Sequence, residues 1–208
     1  SGDIYAGYLA KQMGLPIEQL VIATNCNDIL HRFVSSNRFE KQDLQHTLSP
    51  SMDIVISSNF ERLLFDGYSR DGLAVADLMD RFNREPVSVP DSVFDRVRDL
   101  FDSGRVSDEE TVEIIREVYE RNEYLLDPHS AIGVHAARAN WRDRSVPMVT
   151  LATAHPAKFP DAVMQAGYPE SPALPHHMHD LLTLPERYEV LDNDISAVHG
   201  FMASHIRA

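Results

Sequence analysis

The sequence predicts an α/β protein with a mostly parallel sheet flanked by helices. Two short apolar runs, 20–24 and 148–152, each follow a proline-containing turn and end in a polar loop. Such runs are typical of strands buried in a parallel sheet. Helical periodicity before, between and after them adds the alternation of strands and helices that characterises this class. Less regular runs at 52–57 and 188–191 predict a further strand and an edge strand.

The helices are predicted from start and stop signals together with apolar residues spaced three or four apart. Asp3 is the predicted N-cap of the first helix, which ends at Gly14 before Pro16. Three further helices are predicted before residue 102: a short one that carries Phe60, Leu63 and Leu64, one capped by Asp71, and one capped by Asp91 or Ser92 that extends to Phe101. Three more follow: one that begins with a capping box at 107–110, one at 129–140, and one that begins at Asp192 or Asn193.

The stretch 71–121 differs from its surroundings because it is acidic, rich in helical patterns and without strand runs. We interpret it as part of a helical insertion at about 67–125. The segments 1–66 and 126–208 on either side then form parts of one α/β domain. The acidic side chains are expected on the solvated faces of the helices, where they need no functional explanation.

The overall charge excludes two classes of partner. Among 208 residues, 32 are Asp or Glu and 19 are Lys or Arg, which gives a net charge of −13. Binding to nucleic acid or to an anionic membrane requires clustered cations, so neither is expected. The single cysteine, Cys26, excludes an intrachain disulfide and fits a reducing compartment, so a cytoplasmic location is predicted.

Polar residues follow two of the predicted strands. Asn25, Asn27 and Asp28 come after the first strand, and Thr153 and His155 come after the run at 148–152. Ligands of parallel α/β proteins bind beyond the carboxyl ends of the strands, so these residues are candidates for a site. The commoner role of a threonine at such a position is to terminate the strand by bonding its own backbone.

Two further features bear on chemistry. Gly2 and Asp3 stand at a helix start, where free N–H groups and the helix dipole favour a phosphate, although most such pairs are ordinary caps. The chain has only three lysines, Lys11, Lys41 and Lys158, so a mechanism that needs an amine has three candidates. An amine nucleophile requires desolvation or a cationic neighbour, and the sequence around Lys158 supplies little sign of either.

The histidine-rich segment that holds His176, His177, His179 and Asp180 invites a metal interpretation. Metal sites normally take ligands from separate elements, whereas this cluster follows a proline-rich turn, so we expect adventitious metal binding at most and no functional metal. The chain also lacks the G-x-x-x-x-G-K-[ST], G-x-S-x-G, H-E-x-x-H and G-x-G-x-x-G motifs. P-loop, serine-hydrolase and classical dinucleotide-binding functions therefore have no motif support.

Five blocks, taken together and in order, resemble threonine synthase, specifically its C-terminal half. They are GDIYAGY at 2–8 with MGLPI at 13–17, LVIATNCNDIL at 20–30, TLSPSMDIVISSNFERLLF at 47–65, DPHSAIGVHAAR at 127–138, and VTLATAHPAKFPDAV at 149–163. The resemblance implies a pyridoxal-phosphate enzyme of fold type II, the fold shared with the tryptophan synthase β chain. Such an enzyme converts O-phospho-L-homoserine and water to L-threonine and phosphate.

The resemblance also implies roles for particular residues. Gly2 and Asp3 correspond to the end of the loop that holds the cofactor phosphate, and Thr153 corresponds to the hydroxyl at the pyridine nitrogen. Asn25, Asn27, Asp28 and His155 are then expected around the substrate pocket, without an assigned contact.

The departures from the family pattern are as informative. The Schiff-base lysine of the family lies before the phosphate loop in a Phe-Lys-Asp context, which this sequence lacks, and Ser1 stands where the family has phenylalanine. We therefore expect a fragment without the N-terminal half of the enzyme, with no catalytic residue of its own, no cofactor bound, no activity alone, and a tendency to self-associate. The alternatives are another pyridoxal-phosphate lyase of this fold and a non-catalytic scaffold or interaction module.

Overall fold

The computed structural model describes residues 2–206, so the interpretation of Ser1 lies outside the described residues. They fall into two compact units, one ending at Pro172 and one beginning at Ala173. The helices are α1 (Gly2–Gln12), α2 (Ile29–Ser36), α3 (Phe60–Gly67), α4 (Gly72–Phe82), α5 (Asp91–Arg98), α6 (Asp108–Asn122), α7 (Pro128–Asn140), α8 (Pro160–Gln165) and α9 (Ile195–His205), with 3₁₀ turns at Pro50–Met52, Pro156–Lys158 and His176–Met178. None of the helices in this range is long and apolar enough to cross a bilayer.

A two-stranded parallel sheet lies in the first unit. Strand β1 (Leu20–Thr24) pairs with β2 (Phe101–Arg105), with Leu20 opposite Phe101. The strand predicted at 20–24 is therefore confirmed. The expectation that 71–121 holds no strand is wrong, because β2 lies within it. Its sequence, Phe-Asp-Ser-Gly-Arg, has one apolar residue, so pairing with β1 and not hydrophobic patterning makes it a strand.

Helices cover both faces of this sheet. On one face, Nδ1 of His31 in α2 lies 2.9 Å from Oγ of Ser103. On the other face, a Cβ added to Gly104 would lie 2.9 Å from Cβ of Ala136 in α7. Successive residues of a strand point to opposite faces, so Ser103 and Gly104 place α2 and α7 on opposite sides. Gly104 is thus required by the close approach of α7.

The larger core packs α2 to α5 and the face of the sheet that α2 covers around phenylalanine rings. Phe33 is fully buried, and its ring meets those of Phe39, Phe60 and Phe94 edge-on at centroid distances of 5.7, 5.1 and 5.9 Å. The ring of Phe82 stacks on that of Phe39 at 4.2 Å. This cluster explains why the short helices predicted from Phe60 and Asp71 form as expected: each contributes a phenylalanine to it.

A second, smaller core lies between α6, α7 and α8. Ile115 and Ala131 are fully buried in it, and Ala162 is 2% exposed. Leu48 and Phe159 pack against it from loops. The capping box predicted at 107–110 is present at the start of α6, where Oγ of Ser107 accepts the N–H of Glu110. The helix predicted at 129–140 is also confirmed as α7.

Two predicted strands of this unit are not formed. Residues 52–57 begin in the 3₁₀ turn Pro50–Met52 and form no strand, and Asp53 among them accepts hydrogen bonds from Asn25 and Thr47. Residues 148–152 form no regular secondary structure and pair with no strand among the described residues, and Val149 and Leu151 are 78% and 59% exposed. Their apolar pattern therefore does not correspond to a buried strand in this structure.

Several predicted helix boundaries shift by one to three residues. Helix α1 begins at Gly2, so Asp3 lies in its first turn and is not the N-cap. Helix α5 is preceded by Pro90 at the N-cap and ends at Arg98, so Phe101 belongs to β2. Neither predicted cap, Asp91 or Ser92, is at the N-cap, since α5 begins at Asp91 and has no side-chain cap hydrogen bond.

The second unit consists of the 3₁₀ turn His176–Met178, a loop and α9. No described residue from 173 to 206 is buried. The N-cap of α9 is Asp194, whose carboxylate accepts the N–H of Ala197, and not the predicted Asp192 or Asn193. The predicted edge strand at 188–191 is not formed, and its Tyr188 and Val190 are 72% and 86% exposed. The division into 1–66 with 126–208 and an insertion at 67–125 stays a prediction.

Candidate functional site

A buried polar network lies at the carboxyl end of β1, where the sequence predicts a site. Asn25 and Asn27 are 1% and 8% exposed. Nδ2 of Asn25 donates to Oδ1 of Asp53 at 2.8 Å, and Oδ1 of Asn25 accepts the backbone N–H of Asn27 at 2.9 Å. Asn27 clamps the backbone of Gln45, donating to its carbonyl at 2.8 Å and accepting its N–H at 2.9 Å. These amides therefore fix the loop at 45–53 against the end of the strand.

Asp53 is the acceptor at the centre of this network. Its Oδ1 also accepts from Oγ1 of Thr47 at 2.6 Å, and its Oδ2 accepts the N–H of Thr47 at 3.0 Å. Buried donors of Asn25 and Asn27 would be costly to leave unpaired, so one carboxylate satisfies several of them. No sequence pattern singles out Asp53, because it lies in a segment predicted to be a strand.

The groups beside this network are electrostatically unfavourable for nucleophilic chemistry. Burial, followed by the nearby carboxylate of Asp108, raises the pKa of the Cys26 thiol. Since the thiolate is the nucleophile, Cys26 is held in its less reactive form. Burial also raises the pKa of Asp108 itself, although the N–H of Leu48, 3.3 Å from its carboxylate, acts in the opposite direction.

Asp28, the third predicted residue after β1, forms ion pairs instead of joining the buried amides. Its carboxylate lies 2.8 Å from Nε of Arg32 and 3.3 Å from Nε of Arg105. Asp28 occupies the N-cap position of α2 but makes no side-chain cap hydrogen bond. Its carboxylate therefore ties the end of β2 to the first turn of α2.

A second buried network lies at the start of α7. Asp127, the N-cap, is 1% exposed, and His129 and Ser130 are 5% and 3% exposed. Oδ1 of Asp127 lies 2.9 Å from Nδ1 of His129, and Oδ2 accepts the hydroxyl of Ser130. On the other side of the imidazole, Nε2 accepts the N–H of Ser51 at 3.2 Å. The proton of His129 is therefore on Nδ1, where it is donated to Asp127.

Burial by itself raises the pKa of Asp127, but the hydrogen bonds donated by His129 and Ser130 outweigh it and hold the pKa below its usual value. Asp127 is thus an ionised acceptor. The arrangement is not a nucleophile relay, because the Ser130 hydroxyl faces the carboxylate and not the imidazole. Its geometry orients three segments: the turn at Ser51, the start of α7 and, through Ser130, the chain at Thr153.

Thr153 lies beside this second network. Its backbone N–H donates to Oγ of Ser130 at 3.3 Å, while the residue as a whole is exposed. His155 is also exposed, and its Nδ1 accepts the N–H of Ala157, which caps the 3₁₀ turn Pro156–Lys158. The structure therefore brings Thr153 to the start of α7 with its side chain accessible. His155 has a local capping role as well.

Gly2 and Asp3 form the first turn of α1, and both are exposed. A Cβ added to Gly2 would meet nothing within 4 Å. The first N–H groups of a helix have no partner within the helix and can bind an anion. The exposure of Gly2 and Asp3 and the open space beside Gly2 leave room for an anion at this turn.

Each of the three lysines has a local partner. Nζ of Lys11 donates to the carbonyl of Ile17, and Nζ of Lys41 donates to Oδ1 of Asn83 at 3.1 Å. Nζ of Lys158 lies 5.7 Å from the centroid of the Phe159 ring. None of these environments combines the desolvation and cationic neighbour that activate an amine.

The histidine segment of the second unit shows no metal-binding geometry. The rings of His176 and His179 lie 5.9 Å apart, and Nδ1 of His179 bonds the carbonyl of His176. Over residues 2–206, no group of three or more His, Cys, Asp or Glu side chains is placed to hold a metal ion.

The half-buried carboxylate of Asp53 and the buried carboxylate of Asp127 are functional candidates that are not among the predicted site residues. Asp127 had a usable signal, because Asp-Pro-His-Ser joins an N-cap residue to a proline at the first helical position. Asp53 had none, since its buried partners Asn25 and Asn27 lie 28 and 26 residues away in the chain.

Fold and site together define an α/β protein with polar networks at the carboxyl end of a parallel sheet. The structure superposes on a pyridoxal-phosphate-bound threonine synthase from Brucella melitensis with a TM-score of 0.90, 48% identity and coverage of 100% of this chain and 44% of that one. Threonine synthase from yeast gives a TM-score of 0.85 at 41% identity, over 97% of this chain and 45% of the other. The predicted fold, part of a fold-type II pyridoxal-phosphate enzyme, is confirmed.

The sequence comparisons give the same family. Residues 130–202 match the family described as "Threonine synthase, C-terminal". Threonine synthase from Pseudomonas aeruginosa is 58% identical over 205 residues, which are 98% of this chain and 44% of that protein. The chain is thus similar over nearly its whole length to the C-terminal portion of threonine synthases, and the resemblance predicted from its sequence is confirmed. It spans less than half the length of these relatives.

Proposed function

We propose that this chain forms the C-terminal part of a threonine synthase that converts O-phospho-L-homoserine and water to L-threonine and phosphate. The observation that carries the proposal is the superposition of the whole chain on a pyridoxal-phosphate-bound threonine synthase at 48% identity. When bound, pyridoxal phosphate supplies the electron sink for the reaction. The protein residues bind and orient the reactants.

The residues present fit this cofactor. Thr153 offers an accessible neutral hydroxyl at a backbone position fixed by Ser130, and such a group suits the pyridine nitrogen. Gly2 leaves the N–H groups at the start of α1 open to the cofactor phosphate. Asn25 and Asn27 would shape the substrate pocket through the loop they hold, with Asp28 and His155 at its edges. No metal role is proposed for any of them.

The covalent attachment of the cofactor must come from elsewhere in the protein. Lys11 and Lys41 each donate a hydrogen bond to a nearby acceptor, Lys158 lies beside the Phe159 ring, and no Phe-Lys-Asp segment surrounds any of the three. We therefore assign the cofactor-binding lysine to a segment outside residues 1–208, and no catalytic lysine to this chain. A cytoplasmic location and the absence of nucleic-acid and membrane partners are proposed on the charge and the single cysteine.

The test compares the full-length protein that contains this chain with its Thr153→Val and Thr153→Ser variants. Loss of one hydrogen bond to the cofactor is expected to lower kcat/KM for O-phospho-L-homoserine about tenfold in Thr153→Val. Thr153→Ser, which keeps the hydroxyl, should retain most of the activity. Phosphate release and threonine formation are measured together, since the reaction yields one of each.

The matched control is Thr183→Val, which removes an exposed hydroxyl whose only described partner is the carbonyl of Asp180. It should leave the rate unchanged. A full-length protein that releases no phosphate from O-phospho-L-homoserine would refute the proposed function and favour another lyase of this fold or a non-catalytic module.

Residues 1–208 alone are expected to bind no pyridoxal phosphate covalently and to form no threonine, because the attachment lysine is absent. Absorbance of the cofactor after borohydride treatment and removal of free ligand measures this directly. Labelling of any of the three lysines, or turnover above the buffer rate, would contradict the assignment. We also expect residues 1–208 alone to self-associate through exposed apolar residues such as Val149 and Leu151. Sizing chromatography at two protein concentrations measures this, and a monomer at both concentrations would contradict it.

A further inference from the structure

We propose that Ser130, whose hydroxyl is oriented by the carboxylate of Asp127, is a positioning residue that sets the location of the Thr153 hydroxyl. The inference rests on the proposed function, in which Thr153 contacts the cofactor. It adds that the buried side chains of Ser130 and Asp127 control the position of Thr153 without themselves touching the cofactor.

The first step of the argument is the hydrogen bond between the two residues. The Thr153 N–H donates to Oγ of Ser130 at 3.3 Å, and these residues are 23 positions apart in the chain. The segment around Thr153 has no strand partner among the described residues, so the sheet does not fix its backbone. Ser130 is therefore the described polar group that holds this backbone in place.

The second step is the orientation of the Ser130 hydroxyl. A hydroxyl rotates freely unless its proton has a fixed acceptor. Oδ2 of Asp127 accepts that proton, which turns an oxygen lone pair toward Thr153. Asp127 is itself fixed by Nδ1 of His129 at 2.9 Å, and Nε2 of His129 is fixed by the N–H of Ser51 at 3.2 Å.

The third step is rigidity. Asp127, His129 and Ser130 are all at least 95% buried, at the start of a helix that packs on both strands. A close approach also ties the exposed segment to this helix, because a Cβ on Gly133 would come within 2.8 Å of Cγ2 of Thr150. A site built on such supports holds its contact groups more exactly than a free loop does.

The test uses the full-length protein and pyridoxal 5′-phosphate as the probe, in wild type, Ser130→Ala, Thr153→Val and the double variant. Ser130→Ala is expected to weaken cofactor binding about fivefold to tenfold and to change the position or pH dependence of its absorption band. If Ser130 acts through Thr153, it should have little further effect in the Thr153→Val background. Full additivity of the two effects would overturn the proposal.

The control is Thr111→Val, which removes another buried hydroxyl, one that donates to the carbonyl of Ser107 at 2.7 Å. Ser130→Ala and Thr111→Val are both expected to lower the melting temperature, but of these two only Ser130→Ala should alter the cofactor spectrum. If Ser130→Ala does not fold, Ser130→Cys, which keeps only a weak donor and acceptor there, takes its place: it should weaken cofactor binding in the wild-type background and have little further effect in Thr153→Val.

The outcomes separate the two proposals. A cofactor affinity and spectrum that change in Thr153→Val but stay at wild-type values in Ser130→Ala would refute the positioning role alone. A wild-type protein that does not convert O-phospho-L-homoserine would refute the proposed function, whatever the variants show.

Discussion

Replacing Asp127 with alanine is expected to lower the free energy of unfolding by about 3 to 7 kcal/mol, among the largest effects of any single change outside the apolar core. The loss has two parts. Removing the N-cap of α7 costs about 1 kcal/mol, and leaving the buried donors of His129 and Ser130 without an acceptor costs about 1 to 3 kcal/mol each. Urea unfolding followed by circular dichroism measures the change.

The matched control is Asp71→Ala, which removes the N-cap of α4. Asp71 is exposed and accepts only the N–H groups of Leu73 and Ala74, at 3.0 and 3.1 Å. Its loss should cost about 1 kcal/mol. Equal effects of the two substitutions would show that the buried partners of Asp127 add no stability beyond an ordinary cap.

The contribution of Asp127 should also depend on pH. Its pKa in the folded protein lies below the ordinary value. The stability it adds is therefore fully present above the unfolded pKa of about 4 and is lost as the pH falls through the lower, folded pKa. The difference in stability between wild type and Asp127→Ala should shrink as the pH is lowered from 7 toward 3. A difference that stays constant over this range would contradict the ionised assignment.

The second large effect is expected for Phe33→Ala, which should cost about 3 to 5 kcal/mol. Phe33 is fully buried and contacts three other phenylalanine rings edge-on, so its removal loses apolar burial and aromatic pairing and leaves a cavity. Thermal or urea unfolding measures the loss.

Phe65→Ala provides the comparison for Phe33, since Phe65 lies on α3 but is 37% exposed. Its effect should be about 1 kcal/mol or less. Phe33→Leu, which retains most of the volume, should recover much of the stability lost in Phe33→Ala. A Phe33→Ala protein as stable as Phe65→Ala would contradict the packing described for the larger core.

The sequence was sufficient to predict an element where the local signals and the tertiary contacts favour the same structure. The apolar run of β1, the cap at Asp71 and the capping box at Ser107 each specify their element through neighbouring residues. It was insufficient for β2, because Gly104 and Ser103 have low strand propensity and depend on contacts with Ala136 and His31. The prediction for 148–152 was wrong for the opposite reason: the run has the apolar pattern of a strand, but no strand among the described residues lies beside it to pair with.

In the candidate site, too, some features could be predicted from the sequence and others could not. The position of Asn25 and Asn27 after a strand, and of Thr153 after an apolar run, follows from order along the chain. Their partners do not, because Asp53 and Ser130 reach them across 28 and 23 residues. Long-range hydrogen bonds between ordinary polar residues leave no periodic or motif signal in a single sequence.

The parallel pairing of β1 with β2 has a consequence for how the chain folds. The paired residues are about 80 positions apart, and α2 to α5 lie between them in the sequence. Closing so long a loop is entropically unfavourable until the intervening chain is compact. The helices between the strands are therefore expected to collapse around their phenylalanines first, with the two strands joining late and slowly.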